Sequence, residues 1–539
     1  MLKVMSRAFR RGRLSALLGV LSVVLVAGCT IKPEPLTDAE RGAEVATDRA
    51  GMYPSEALAG PLTLDGALAR ALKYNLDGRV KLMEEGLAAD ELDVSRWDLM
   101  PKVVSGAGYF TRNNHNAASS EALKTGTQSL VPSFSTDRDW YTADLTVSWN
   151  ILDFGVSYYT ARQTANRVLV AGEHRRKAID NLFQDVRAAY FRVAGAQATA
   201  GRAAEAVAAA EDALARSRQA EREGLRRPLE SLFYQRSLLE LIRLLEDERQ
   251  RLVLAKNDLA LLIDLPPGED FTVELPEGEA LVVPQLKTPI GELEEVALLH
   301  NPDLLELSYE GRISAEETRK TLVKLLPGLN LSYGPQFDST SFLVHNFWAQ
   351  GAAQVSWNLL NVVTFPDRLA YAHAAEKLVA AQRVALSVAT LTKLHIAYQE
   401  FQYAKARFAR AKEASAVDER IYAQARNRAA ADAQGTLERI SAEASAVLSE
   451  LRVYDSYAEL EAALGRIYAT LGVASTPELI AASDLKTLTR AIAALQASLQ
   501  KGEIDGVLPP DPQSSAVPPL PETLVKPRDP RAIDMGKSE

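Results

Sequence analysis

The sequence predicts an α+β chain that repeats itself, each half supplying a helix, two strands and a very long antiparallel helical hairpin, with strands patterned for a membrane barrel. Three observations carry that reading. Short motifs recur at fixed offsets, apolar and polar residues alternate around two equivalent tryptophans, and two helical stretches run far beyond the length a globular domain uses.

The duplication is read first. Leu64-Asp65-Gly66-Ala67-Leu68 leads to Asn75 and Pro101, as Ile290-Gly291-Glu292-Leu293-Glu294 leads to Asn301 and Pro327, at an offset of 226. Val147-Ser148-Trp149-Asn150-Ile151-Leu152-Asp153 matches Val355-Ser356-Trp357-Asn358-Leu359-Leu360-Asn361 at an offset of 208, which also relates Leu229-Glu230 to Leu437-Glu438. The 18-residue difference falls between proline and tryptophan, where the first copy has the polar stretch Asn113 to Arg138 and the second only Pro335 to His345. Such a segment is a surface loop.

Each copy opens with a helix. Leu64, Ala67, Leu68, Ala71 and Leu72 fall on one face, and Leu92 and Leu99 extend the apolar pattern to the stop at Pro101. After the proline the period becomes two: Leu329, Leu331 and Tyr333 alternate with Asn330, Ser332 and Gly334, and Val103 to Phe110 is the weaker equivalent. On the return, Tyr141, Ala143, Leu145, Val147 and Trp149 alternate with Thr142, Asp144, Thr146, Ser148 and Asn150; Phe347 to Asn358 repeats the pattern around Val355 and Gln354. One apolar and one polar face over about 10 residues suits a strand between lipid and a watery lumen, although half-buried soluble strands alternate in the same way. A lipid-exposed sheet must close, and four strands are too few. Two chains would supply eight and three would supply twelve. Trp149 and Trp357 would then sit in a membrane-interface aromatic belt.

From about Val156 to Arg222, and again from Pro366 to about Arg428, the chain reads as helices of roughly 100 and 95 Å at 1.5 Å per residue. Leu182, Val186, Ala189, Val193 and Ala196 recur at steps of four and three. After Gly224 and Pro228 the chain returns with Leu238, Leu245, Leu252 and Leu259 at steps of seven, and the second copy returns with Ile440, Val447 and Tyr454. A seven-residue repeat predicts antiparallel coiled-coil hairpins.

The amino terminus and composition set the compartment. A basic leader, the apolar run Leu14 to Val26 and Leu25-Val26-Ala27-Gly28-Cys29 read as a signal peptide ending in a lipobox, with the only cysteine, Cys29, as the lipidated first mature residue. Thr30, which is not aspartate, leaves outer-membrane sorting open. The net charge is −9, and −14 once the five positive residues among the first 13 are removed, which argues against nucleic acid as a partner. The mean hydropathy of −0.11 excludes a bundle of apolar transmembrane helices. The six histidines are scattered without metal-ligand spacing and no nucleophile or phosphate-loop motif is found, so no enzyme, metal or cofactor is expected.

Taken together, Leu62-Thr63-Leu64 with Ala67-Leu68 and Asn75, the two tryptophan segments and the two hairpin turns resemble the TolC-type outer-membrane channel family in its lipoprotein form, over roughly residues 60–473. The resemblance implies a homotrimer with a twelve-stranded barrel in the outer membrane of a Gram-negative bacterium and a periplasmic tunnel of twelve helices. A periplasmic adaptor and an inner-membrane transporter of an efflux or type I secretion system would be its partners. It also implies that the tunnel closes at the hairpin tips, where Glu230, Glu438 and Asp432 match pore-ringing carboxylates and Arg222, Arg226, Arg227, Arg426 and Arg428 match tip contacts. The same residues equally fit solvated helix ends. Copy two lacks the glycine of Asp153-Phe154-Gly155, having Asn361-Val362-Val363 instead. A periplasmic adaptor or scaffold lipoprotein is the rival reading, which needs no membrane strands.

The expected organisation is a signal peptide 1–28, a lipidated lead 29–60 and a first repeat 61–264, with its β-hairpin at 102–151 and helical hairpin at 156–264. A linker 265–289 follows, then a second repeat 290–473 with its β-hairpin at 328–359 and helical hairpin at 366–473. An amphipathic helix region 474–507, with Leu485, Leu488, Ile492, Leu495 and Leu499 on one side, precedes a proline-rich, disordered tail 508–539.

Overall fold

The computed structural model describes residues 34–53, 56, 58, 60–129, 131–224, 227–274, 281–431, 436–473, 484–500 and 502. The signal peptide, Cys29, Arg226, Asp432 and the tail 508–539 lie outside the described residues. The described residues 34–53 belong to a unit of their own, in which helix α1 (Asp38–Gly51) starts from a Thr37/Glu40 capping box and buries none of its side chains.

The main unit is a duplicated α+β body. Its first repeat runs α2 (Leu64–Tyr74), α3 (Leu76–Trp97), β1 (Lys102–Thr111), β2 (Ala117–Ala118), β3 (Ser133–Phe134), β4 (Asp139–Asn150), α4 (Ile151–Arg222) and α5 (Pro228–Leu262). The second runs α6 (Ile290–His300), α7 (Pro302–Val323), β5 (Gly328–Asp338), β6 (Phe347–Ser356), α8 (Leu359–Ala431) and α9 (Thr436–Leu471), followed by α10 (Leu485–Gln500). The hairpins α4/α5 and α8/α9 pack side by side through α4 and α9, and α7 lies between α4 and α8.

The four long strands form one antiparallel sheet in the order β1-β4-β5-β6. Its register follows the two offsets read from the sequence: Lys102 faces Ser148 as Gly328 faces Ser356. Between the repeats, Val147 faces Tyr333 and Trp149 faces Leu331. Pro335 has no N–H to donate, and the β4–β5 pairing is interrupted between Asp144–Gln336 and Val147–Tyr333. Next to it a Cβ on Gly334 would lie 1.9 Å from the Leu145 carbonyl oxygen, so this close approach requires glycine.

The structure corrects several expected boundaries. Both long helices begin at the end of their strands, at Ile151 and Leu359, instead of at 156 and 366. The cause is asparagine capping: Asn150 Oδ1 accepts from the Leu152 and Asp153 N–H groups at 3.0 and 3.3 Å, and Asn358 Oδ1 from Leu360 at 3.1 Å. Pro366 thus lies inside α8, where it is exposed. The helix expected to run unbroken to Pro101 is two helices, divided at Asn75. The loop after β1 carries a small hairpin, β2 with β3. The connection after Ile263 is packed where it is described: Leu265, Phe271 and Val273 are buried, and Leu62 bridges Val273.

The largest core lies where the four long helices pass α2, α6 and α10, and includes Leu68, Phe183, Val186, Leu259, Leu293, Phe401, Leu464 and Ile492. On α10, Leu488, Ile492, Leu495 and Leu499 are buried, as the amphipathic pattern predicts. Smaller clusters line the hairpins towards their tips, around Leu214, Leu238 and Ile440 and around Leu245 and Val447. Among the described residues no helix is long and apolar enough to cross a membrane, which says nothing of a β-barrel.

Candidate functional site

The sheet inverts the soluble pattern of burial. Along β4 the apolar residues Tyr141, Leu145, Val147 and Trp149 are exposed, while Thr142, Asp144, Thr146, Ser148 and Asn150 on the other face are half-covered. On β5, Leu331, Tyr333 and Phe337 are exposed and Asn330, Ser332 and Gln336 are more covered. The polar face has room because β1 places glycines there; a Cβ on Gly106 would lie 2.3 Å from Asp144 Oδ1. Aromatic residues mark both ends. Phe110 stacks on Trp140 with centroids 5.0 Å apart, and at the other end Trp149 meets Phe154 edge-on at 5.6 Å while Trp357 Nε1 donates to the Leu325 carbonyl at 2.9 Å. A continuous exposed apolar face over paired strands fits lipid; in water it would be an aggregation surface.

Below the sheet, a pair of asparagines joins the short helices to the hairpins. Asn75 caps α3 by accepting from the Gly78 N–H at 3.0 Å, and its Nδ2 donates to the Leu262 carbonyl at the end of α5 at 3.2 Å. Asn301 does the same one repeat later, accepting from Leu304 at 3.2 Å and donating to Thr470 at 2.9 Å. Beyond each accepting carbonyl the chain turns left-handed, at Asp264 with φ 59° and Gly472 with φ 71°. A Cβ at Gly472 would lie 2.3 Å from the His300 carbonyl oxygen. The sequence marks Asn75 and Asn301 as repeated but does not disclose this double bonding; an asparagine directly before each helix is the signal that was available.

Buried charges hold the same level of the molecule. Arg187 lies 3.7 Å from Glu461, both buried, and donates to Gln496 of α10. Burial raises the Glu461 carboxyl, and the Arg187 guanidinium opposes the rise. Tyr468 donates to the Leu499 carbonyl at 2.5 Å, fixing the end of α10. Nearby, Arg176 pairs with Glu173 at 2.6 Å and donates to the Gly472 and His300 carbonyls at 3.0 and 3.4 Å. Burial pushes Glu173 up to about 6, against the pull of Arg176, while Glu306 and Glu85 add to the rise.

Towards the tips, Arg202 on α4 reaches Glu450 at 2.7 Å and Glu419 at 2.9 Å, tying the two hairpins together. At the tips themselves, Glu438 pairs with Arg428 across the second turn at 2.9 Å, both exposed. Glu230 is exposed in the first turn of α5, and Arg227 precedes that helix without capping it by its side chain. Arg222 Nε donates to the Arg218 carbonyl at 3.3 Å, and Arg426 lies over the Tyr422 ring. The structure therefore brings Arg428 and Glu438 together, while Arg226 and Asp432 are outside the described residues. Among the described residues there is no cluster of metal-ligating side chains.

A duplicated body with an exposed apolar sheet above long helical hairpins is the fold of the outer-membrane channels that follow. Residues 68–263 match the family of outer membrane efflux proteins. The fold is similar to that of the outer-membrane channel OprN, at 19% identity and TM-score 0.58, covering 76% of this chain and 89% of that one. The MtrE outer-membrane channel of Neisseria gonorrhoeae in its open state matches at 17% identity and TM-score 0.58, over 76% of this chain and 88% of that one. The CmeC outer-membrane channel of Campylobacter jejuni matches at 13% identity and TM-score 0.59, over 80% and 89%. No curated protein matches at the sequence level. Residues 68–263 are thus similar to outer membrane efflux proteins, and the duplicated body has the fold of these TolC-type channels. Members of that family are channels.

Proposed function

We propose that the chain is the outer-membrane exit duct of a tripartite efflux or type I secretion system, a homotrimer that conducts cargo passively from an inner-membrane transporter through a periplasmic adaptor. The observation that carries this is the sheet: its apolar face is the exposed one, and its two outer strands, β1 and β6, have free edges that lipid does not tolerate. Closing those edges with further copies gives a barrel of twelve strands, each long hairpin then forming part of a tunnel wall in the periplasm. A scaffold lipoprotein has no use for such a sheet. The lead after Cys29 would anchor the amino terminus in the outer membrane through its acyl chains, where each buried CH₂ contributes about 0.8 kcal/mol.

Glu230 and Glu438 are assigned to the tip, where three-fold repetition makes each a ring of like charge that favours cations. Planar-bilayer recording from the purified oligomer tests both levels of the reading. Conductance is expected, with a cation preference that falls in the Glu230→Gln/Glu438→Gln double variant. Absence of any conductance from folded, inserted oligomer refutes the duct, and an unchanged reversal potential in the double variant returns both carboxylates to the solvated surface.

A further inference from the structure

The internal duplication locates the surface on which a second copy docks. Within one chain, α7 is clasped between α4 of the first repeat and α8 of its own. Its first-repeat equivalent α3 touches its own α4 but has no α8. The flank of α3 that corresponds to the α4-facing flank of α7 is exposed, and Val80, Leu87, Val94 and Trp97 fall there beside Asp77, Asp90 and Glu91, Trp97 being 74% exposed. On α8, the positions equivalent to those with which α4 holds α7 are bare as well; Val363 is 74% exposed and Tyr371 78%.

The two sequence offsets turn each contact between repeats into a contact between copies. Gly155 packs on Val323, a Cβ there lying 3.0 Å from Val323 Cγ1, and the equivalents are Val363 and Trp97. Gln163 binds Glu317 and Lys320, at 2.9 and 3.0 Å, and the equivalents are Tyr371 against Glu91 and Val94. Arg202 binds Glu419, and the equivalents are Arg410 and Glu211, both exposed and neither in an ion pair among the described residues. The sheet extends the same way: Val147 facing Tyr333 becomes Val355 facing Ala107, which joins the free edge of β6 to that of β1. Helix flank, ion pair and strand edge all point in one direction, from the second repeat of one copy to the first repeat of the next. That is a head-to-tail contact, which closes into a ring.

Resting on the channel reading above, we propose that the α3 flank of each copy seats on α8 of the next, with Trp97 covering Val363, Val94 meeting Tyr371, and Arg410 paired to Glu211. Where Gln163 holds Lys320 within the chain, Tyr371 meets Val94 between copies, so the ring alternates a more polar seam with a more apolar one.

The test uses the full-length protein in outer-membrane extracts. Oxidation of the Trp97→Cys/Val363→Cys variant is expected to give covalent dimers and trimers on a denaturing gel without reductant. The within-chain equivalent, Gly155→Cys/Val323→Cys, is expected to give none. Should the first variant stay single-chain while migrating as a native oligomer, the assigned surfaces are wrong and the channel reading survives; a monomer under native conditions overturns both. The ion pair is tested separately. Arg410→Glu should lower the detergent-resistant oligomer about two- to fivefold, and Glu211→Arg added to it should restore the level. Additive loss in that double variant overturns the pairing.

Discussion

An arginine placed on the exposed face of β4 is expected to be costly, and the same arginine one residue on is expected to be tolerated. Tyr141 and Trp149 bracket the apolar positions of the strand, and Leu145 stands four residues from each. At about 3.4 Å per residue and a tilt near 40°, the span from Tyr141 to Trp149 is roughly 21 Å along the membrane normal, close to the ~25 Å apolar band of an outer-membrane barrel. In the proposed barrel Leu145 would therefore lie near the midplane, where an arginine costs about 2–4 kcal/mol per chain, or roughly 30- to 1000-fold in the folded fraction. Thr146 points to the other face, where its hydroxyl donates to Asp144 at 3.3 Å, so an arginine there keeps water and gains a carboxylate. Tyr141→Arg, at the edge of the band, should cost only about 0–1 kcal/mol. The assay is the fraction of heat-modifiable, folded oligomer after urea titration in detergent-lipid vesicles. Equal loss for Leu145→Arg and Thr146→Arg would refute the assignment of faces.

Three further predictions concern other levels of the molecule. Asn75→Ala or Asn301→Ala removes a helix cap and a hydrogen bond to a hairpin end, and each should lower stability by about 2–4 kcal/mol in urea unfolding, with Asn→Asp recovering only the cap. The raised Glu173 carboxyl contributes stability that is fullest in acid, because the folded state holds the proton more tightly than the unfolded one. That stability should fall by about 2 kcal/mol as the pH rises from 4.5 through about 6 and then level off, and Glu173→Gln should flatten the profile; a wild-type midpoint independent of pH over that range contradicts it. Mass spectrometry of the mature amino terminus should find an acylated Cys29, and Cys29→Ala should abolish the modification while leaving folded oligomer.

Much of this architecture was legible because the duplication writes each element twice. The weak alternation of Val103 to Phe110 becomes a strand once Leu329 to Tyr333 stands beside it, and the structure places both in one sheet. The helix starts lie earlier than expected because their caps, Asn150 and Asn358, act locally and require no apolar pattern. The roles of Asn75 and Asn301 were hidden for the opposite reason. Each donates to a carbonyl far along the chain, 187 residues away for Asn75, and no local spacing encodes that. The Arg187–Glu461 pair is invisible for the same reason, since a charged residue on an apolar helix face looks like an interruption until its counterpart arrives. The tip carboxylates carry no comparable pattern, and among the described residues only Glu438 of them finds a cation.

The buried group that includes Arg187 also sets an order of assembly. Arg187 and Gln496 are 309 positions apart, so the guanidinium that α4 carries into the core waits for almost the last helix made. Until α10 arrives, Arg187 and Glu461 lie uncovered beside Phe183 and Leu464. Contacts of such long range form late. A chain truncated before Leu485 would thus leave a hydrophobic belt open with a charge pair in it, a state that limited proteolysis can distinguish from the folded protein. Helix α10 therefore covers the belt only after both long hairpins have been made.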